Sequence, residues 1–500
     1  MSAVDESLAA PPLGMPSQVS RQAPQPGSAR ARSTTLIPRS IVLAGLLLGQ
    51  LGLALVLDEF RVFALAQAAG LGALGLYAAL RRNLPLILCL CAYLPGVEML
   101  WRQTKAPLYY LTAPYLVIAL SAFAVILGIG SFGRTARLGL LFIAVLLPAG
   151  AVTLKTAGPG ARELVSFALT GPIALGALVT FTSQIRIKPE LYRRILWIML
   201  ISSMGPWMIA VTALREGLAQ GDVTFTEQSN FIASGGTAPV QVSALLGMGV
   251  LVGVLLILTE RQQMARILAV IITAALTVQC FLTFSRGGMT SVAIALSALA
   301  ITQAGNRQMR NRIIVLVIVA LTLLVTVVFP RLDEFTGGAF EKRFTDAKTG
   351  RTELAANDYK IFKDNFLFGV GPGMTKYQRL GYDICQYRSD KCMNEASSHT
   401  EFTRLLSEHG LAGVTAIVIL AMLAFRAYAW SGPRGRPFAV AMIAWAVSQM
   451  FYANFRIVAV PFVFALALVR VTGDERVEDH DEPASPSPSQ ASVGSRPALS

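Results

Sequence analysis

Charge is scarce in this chain: Asp, Glu, Lys and Arg make up 14% of its 500 residues, and the stretch from Ile313 to Phe329 contains none. A soluble protein of this length would confine its apolar residues to periodic stripes, so uninterrupted apolar segments exclude that class and leave the bilayer as the solvent. Histidine is rare, at three residues, and cysteine numbers five. No DxD-like acidic pair stands in the outer loops identified below, and no Gly-Lys-Ser/Thr follows a glycine-rich turn. A metal-held diphosphate and a phosphate-cradling loop therefore lack their usual sequence carriers. No repeat with a period of about 20–50 residues is visible.

What is abundant is apolar. Hydrophobic residues reach 54%, and runs of roughly 17–20 residues recur between short basic connectors. A helix satisfies its own backbone in lipid, so the expected class is an all-α polytopic integral membrane protein. About fourteen spans (12–14) start near Ile41, Val62, Leu84, Ala113, Leu138, Leu164, Ile195, Gln241, Ile267, Met289, Ile313, Leu411, Phe438 and Ile457. Residues 41–329 hold about eleven of them and residues 411–470 about three, with one long polar segment, 330–410, between. Residues 1–40 and 471–500 are rich in Pro, Ser and Ala and read as disordered tails. The first apolar run begins only after about forty residues and is long enough to span, so no cleavable signal peptide is expected.

Lysine and arginine in alternate connectors orient the spans, because positive short loops stay cytoplasmic. Arg81 and Arg82, Arg134 and Arg137, Arg186 to Arg194, Arg261 and Arg266, Arg307 to Arg312 and Arg426 to Arg436 mark one side. Both termini fall on that side. The net charge of +14 is then mainly a topology signal, and its dispersal over many loops argues against nucleic acid as a partner. Arg286, the segment Leu214 to Pro239 and the long segment 330–410 share the opposite, outer face. Polar chemistry is expected there.

Within the long segment, YKIFKDNFLF (359–368) interleaves aromatics with Lys360, Lys363 and Asp364 and reads as an amphipathic surface helix, broken by the turn GVGPG (369–373). Cys385 and Cys392 frame CQYRSDKC; a disulfide suits an oxidising compartment, two free thiols or a zinc site being the alternatives. Cys89, Cys91 and Cys280 sit inside spans as packing residues. In SSHTEFTRLLSEHGLAG (397–413), Ser398 followed by Glu401 makes a capping-box pattern, so a helix is expected from His399 to Gly410. An imidazole in the first turn is kept neutral by the helix dipole and can accept a proton. His399 is thus a candidate general base, a solvated capping histidine being the alternative, and Glu395, Glu401 and Glu408 are carboxylates that could take the same role. His409, in the last turn, suits a cation and a structural role.

TFSRGG (283–288) ends a span with Arg286 and two glycines. A guanidinium there can snorkel to headgroups, or bind phosphate oxygens bidentately while Gly287 and Gly288 admit a bulky headgroup. Arg215 is a second outward arginine that could share a diphosphate, with Arg102, Arg162 and Arg456 as further candidates.

These residues resemble the O-antigen ligase and polymerase superfamily of bacterial envelope glycan transferases. SRGG is similar to that family's Ser-Arg-Gly signature, and SSHTEFTRLLSEHGLAG to its histidine-bearing loop. SGGTAPVQVS (234–243) resembles its glycine-rich entry to a span, with Val240 where the family carries Asn and only Gln241 left of the Asn-Gln pair. The likeness runs from Leu164 to Arg470 and is strongest from Cys280 to Gly413; YLPGVEMLWRQT, with Glu98 and Arg102, is similar to a segment of some members. The resemblance implies a GT-C-like membrane glycosyltransferase of a bacterial inner membrane, with its active site periplasmic and no cofactor or metal. Its implied reaction passes a glycan from an undecaprenyl diphosphate carrier to an acceptor hydroxyl by inverting displacement. His399 and Arg286 would be catalytic, and Arg215, Arg286, Gly287 and Gln241 would bind substrate.

Three activities remain distinct at this stage. The first expectation is a polysaccharide polymerase, which would extend a lipid-linked repeat in the company of flippase and chain-length regulator proteins, the other two being alternatives. A ligase would pass the finished lipopolysaccharide chain to lipid A core or a protein. A transporter or flippase is the alternative outside catalysis, but transporters place ionisable residues deep in their spans, and here these are few apart from Glu98.

Overall fold

The computed structural model describes residues 39–130, 132–226, 228–305, 307–345, 351–379, 398–433 and 435–472. Nearly all of the disordered-tail expectation, the Cys385–Cys392 pair and Glu395 lie outside the described residues. The described chain is mostly helical, and ten helices are long and apolar enough to cross a membrane. Two shorter apolar helices, Thr112–Ile126 and Arg286–Thr302, join them, followed near the end by Arg436–Met450 and Ala459–Leu466. These helices coincide with the apolar runs, because an uninterrupted apolar stretch leaves helix as the one way to pair its backbone in lipid.

The helix Pro239–Thr259 is the axis of the bundle: 89% of its span is buried, against 6% for the peripheral helix Arg307–Phe335. Small residues let its neighbours come close. A Cβ on Gly288 would lie 2.2 Å from the Ser243 carbonyl oxygen, so the start of Arg286–Thr302 is pressed directly onto the axis helix. The Gly288 amide donates to Ser243 Oγ at 3.0 Å, and Cys280 Sγ packs at the same crossing. At the opposite end of the molecule, Arg186–Ile187 pairs in parallel with Arg470–Val471, fastening the segment after the last helix beneath the bundle.

The polar segment is held as firmly as the spans. Arg351–Asp364 is a helix that buries Leu354, Asn357, Asp358, Ile361 and Phe362 while Tyr359 faces out. It begins eight residues before the expected Tyr359, because Glu353 in its first turn suits the helix dipole and its apolar residues recur at helical spacing. GVGPG then folds as a turn, with Gly369, Gly371 and Gly373 all at positive φ. The Val370 amide donates to the Ser407 carbonyl at 2.9 Å and the Gly371 amide to that of Glu408 at 3.0 Å. That turn docks the segment on the helix Glu401–His409.

Candidate active site

The helix after SRGG starts at Arg286 itself. Phe284, just before it, takes φ 56°, a left-handed conformation costly for a bulky side chain, and it turns the chain from one span into the next. Arg343, on the helix Ala339–Thr345, stitches this corner: its Nε donates to the Phe284 carbonyl at 3.0 Å, and its own carbonyl accepts a hydrogen bond from the Arg286 guanidinium. The SGGTAP segment lies against the same corner, with the Asn230 amide donating to the Thr283 carbonyl at 2.9 Å and Gln279 Nε2 to that of Ala233 at 2.7 Å.

The two glycines do not leave open space. A Cβ on Gly287 would meet the Tyr452 ring at 3.0 Å, and Gly288 is sealed against Ser243. Room for a headgroup is thus filled by side chains from distant spans, and the glycines serve close helix packing. Tyr452 also bridges outward: its hydroxyl lies 2.8 Å from Thr290 Oγ1, and its ring carries the Arg351 guanidinium at 5.1 Å from the centroid. Burial, and Arg286 nearby, lower the Arg351 pKa against the opposing effect of Tyr452. Arg351 has no hydrogen bond or ion pair among the described residues.

His399 stands just before the helix Glu401–His409, whose cap is Thr400: Thr400 Oγ1 accepts from the Thr403 amide at 3.1 Å. The expected cap, Ser398, instead accepts from Arg379 Nη2 at 2.8 Å, because Arg379 is anchored by Asp358, with Nε to Oδ1 at 2.8 Å. Asp358 Oδ2 in turn accepts from Thr403 Oγ1 at 3.0 Å, and the Arg379–Asp358 pair is fully buried. This clamp fixes His399 from both sides in sequence. Burial, then the positive charges of Arg351, Arg379 and Arg456, push its pKa down to about 4. The ring is neutral at pH 7, as expected, but burial and arginines are the cause rather than the first helical turn.

Glu401 and Glu408 share Arg404 at helical spacing, with Arg404 Nε to Glu401 Oε2 at 2.6 Å and Nη1 to Glu408 Oε2 at 3.4 Å. Burial disfavours the Arg404 charge, and the two carboxylates outweigh it. Both carboxylates are buried and ion-paired to Arg404, although Glu401 Oε1 has no hydrogen-bond partner among the described residues. His409 was expected to be cationic in the last turn; burial, then Arg404, push its pKa down to about 3, so desolvation overrides the helix dipole.

Arg456 faces this group from the linker before the last helix. It is 9% exposed, its Nε is buried with no partner, and its guanidinium lies 4.6 Å from the centroid of the Phe167 ring. Phe167 contacts Tyr110 at 5.8 Å between centroids, and Tyr110 carries Arg102 at 3.9 Å. Arg102 is tied down further: it pairs with Glu98 and donates to Gln241 Oε1 at 2.6 Å. Gln241 therefore serves Arg102 in this structure. An amide does approach Val240 from elsewhere, since Asn454 Nδ2 donates to the Val240 carbonyl at 3.4 Å.

The structure thus brings Arg286, Arg351, Arg379, His399 and Arg456 together on one face, a neutral imidazole among guanidiniums. Arg215 is exposed on the helix Met204–Gln220, and no hydrogen bond or ion pair ties it to Arg286 or His399. Arg162 is exposed as well. Sequence reasoning missed Arg351, Arg379 and Tyr452. An arginine pair of Arg379 with the acidic residue Asp358 was the one available signal, and it needed the tertiary turn at GVGPG to become visible.

Residues 271–418 match the model of the O-antigen ligase family. That stretch is similar to an O-antigen ligase domain. That match covers SRGG, the long polar segment and the histidine-bearing helix, and it supports the O-antigen ligase/polymerase superfamily as the chain's family. No curated protein matches the sequence. Together with ten helices of membrane-crossing length among the described residues, this match supports a multi-pass membrane protein with a ligase- or polymerase-type glycan-transfer function.

Proposed function

We propose that this protein transfers a glycan from an undecaprenyl diphosphate carrier to an acceptor hydroxyl at the periplasmic face of a bacterial inner membrane. The observation that carries the reading is the half-buried neutral imidazole of His399 set among guanidiniums, of which Arg351, itself half-buried, has no hydrogen bond or ion pair among the described residues, while Arg456 feels the Glu401 and Glu408 carboxylates without an ion pair to either. Guanidiniums gathered beside a neutral base are costly, and a diphosphate offsets that cost.

In the proposed mechanism Arg286 and Arg351 bind the diphosphate and stabilise the negative charge that grows on it as the glycosidic bond breaks. Arg351 takes the place given to Arg215 on sequence grounds. His399 accepts the proton of the acceptor hydroxyl as its oxygen attacks the anomeric carbon, in line with the departing diphosphate, which inverts that centre. Guanidiniums neutralise the leaving group, so the step requires no metal. In this proposal the helical membrane bundle is GT-C-like and, from the lysine and arginine pattern of its connectors, both termini lie in the cytoplasm.

The polymerase reading joins a growing chain to another lipid-linked repeat. The ligase reading, favoured by the description of the matched domain, hands the chain to lipid A core or protein. Extraction of carrier lipids from cells lacking the protein separates them: single-repeat carrier accumulates for a polymerase, long carrier-linked chains for a ligase. Unchanged carrier lipids would refute both.

A further inference from the structure

Beside the guanidinium cluster runs a cleft of about 650 Å³. Its walls come from Glu163, Leu164 and Phe167 on one side and Met374, Lys376 and Tyr377 on the other. We infer that this cleft binds the acceptor saccharide, a deepening that rests on the transfer reading above. Its volume lies within the roughly 300–1,000 Å³ of small-ligand sites.

The lining is chemically mixed in the way a sugar requires. Phe167 and Tyr377 offer ring faces for the C–H faces of a pyranose, and Glu163 and Lys376 offer an acceptor and donors for its hydroxyls. Tyr377 is 45% exposed, so its ring is presented rather than consumed by the core. Neither Glu163 nor Lys376 is in an ion pair among the described residues; the Lys376 ammonium rests over the Tyr377 ring at 4.7 Å. An apolar lipid chain would leave both charges unanswered, whereas a hydroxylated ligand meets them.

Position makes the cleft an acceptor site rather than a stray surface groove. Its inner wall, Phe167, is the ring under the Arg456 guanidinium, and Arg456 is one of the charges felt by His399. Its outer wall is fastened to the histidine-bearing helix, with Thr375 Oγ1 2.8 Å from Ser407 Oγ, and Arg379, two residues beyond Tyr377, holds Ser398 next to His399. The opposite wall is secured through Gly371 and Gly373, packed on Thr153 and Leu164, and through Thr153 Oγ1 donating to the Pro372 carbonyl at 3.0 Å. Both walls are therefore tied to the segment that carries the base.

The test is saturation-transfer NMR on the full-length protein in nanodiscs, without donor, using the oligosaccharide released by mild acid from the surface polysaccharide of the source cells. Wild type binds it, and Tyr377→Ala and Glu163→Gln, checked for unchanged melting, bind about tenfold more weakly. Equal binding in the cleft variants, or none in the wild type, overturns the inference. A transfer assay separates the two layers. Turnover with an unaltered acceptor KM in both cleft variants overturns the cleft while the transfer reading stands, and saccharide binding without any turnover overturns the transfer reading while the cleft stands.

Discussion

The pH profile of transfer turns on His399. An ordinary histidine titrates near 6.5, whereas burial and the guanidiniums of Arg351, Arg379 and Arg456 bring this one to about 4. At pH 5.5 an imidazole of ordinary pKa would be only about one-tenth neutral, and one with a pKa of about 4 almost wholly so. If His399 is the base, kcat/KM, which reports the free enzyme, stays nearly level from pH 7.5 to pH 5.5 and falls only toward its pKa of about 4. The profile of kcat falls at higher pH than that of kcat/KM, because a bound diphosphate stabilises the imidazolium. Replacing Arg456 with Gln removes one repelling charge and moves the kcat/KM limb upward. The assay is initial-rate transfer to a soluble acceptor in nanodiscs across pH 4–8. A tenfold loss of kcat/KM between pH 7.5 and pH 5.5 would refute the reasoning, since it would mean that His399 titrates as a solvated side chain. The same shift makes the fold acid-sensitive. The unfolded chain takes up a proton that the folded state refuses, so stability declines as pH falls from 6.5 toward 4, and above 6.5 the group contributes nothing.

Three further outcomes follow from the geometry. Arg351→Ala lowers kcat by about 10²–10³, the cost of removing one preorganised donor, whereas Arg215→Ala leaves kinetics near wild type; the reverse ranking in parallel assays would return Arg215 to the site. Asp358→Ala strands the buried Arg379 and costs about 3–5 kcal/mol, read as a lowered melting temperature in detergent, while the double change Asp358→Leu with Arg379→Leu recovers much of it. An unshifted melting curve for the single variant would show the pair to be exposed. Gly288→Ala forces a methyl against Ser243 and destabilises by about 1–3 kcal/mol, and Gly287→Ala, facing only the Tyr452 ring, costs less. Equal melting temperatures for the two would contradict the packing described.

The spans were legible because an apolar run in lipid has one backbone solution, and Arg456 and Arg470 on either side of Ala459–Leu466 bound its length. Arg286 and His399 were singled out because SRGG and SSHTEF carry recognisable local patterns, and their roles are part of the proposal. Their partners were not. Arg351 sits at the start of a helix whose periodicity marks its buried face and says nothing of this end, Arg379 and Tyr452 lie in short connecting segments, and their proximity to His399 depends on tertiary contacts such as the GVGPG turn. The neutrality of His399 was read correctly for a different reason: a capping box at Ser398 looked sufficient, yet Arg379 had claimed that hydroxyl and Thr400 capped the helix instead. Gly287 and Gly288 misled in the same way, because small residues at a span end mark close approach without saying whether the visitor is a ligand or a neighbouring helix.

The central claim is tested most directly by purified protein given a synthetic undecaprenyl diphosphate oligosaccharide and acceptor in EDTA, wild type beside Arg286→Ala and His399→Ala. The account predicts inverted product from the wild type and a loss of about 10²–10⁴ in kcat for each folded variant. Full activity in either variant, or a wild type that turns over only when a divalent metal is restored, would contradict it.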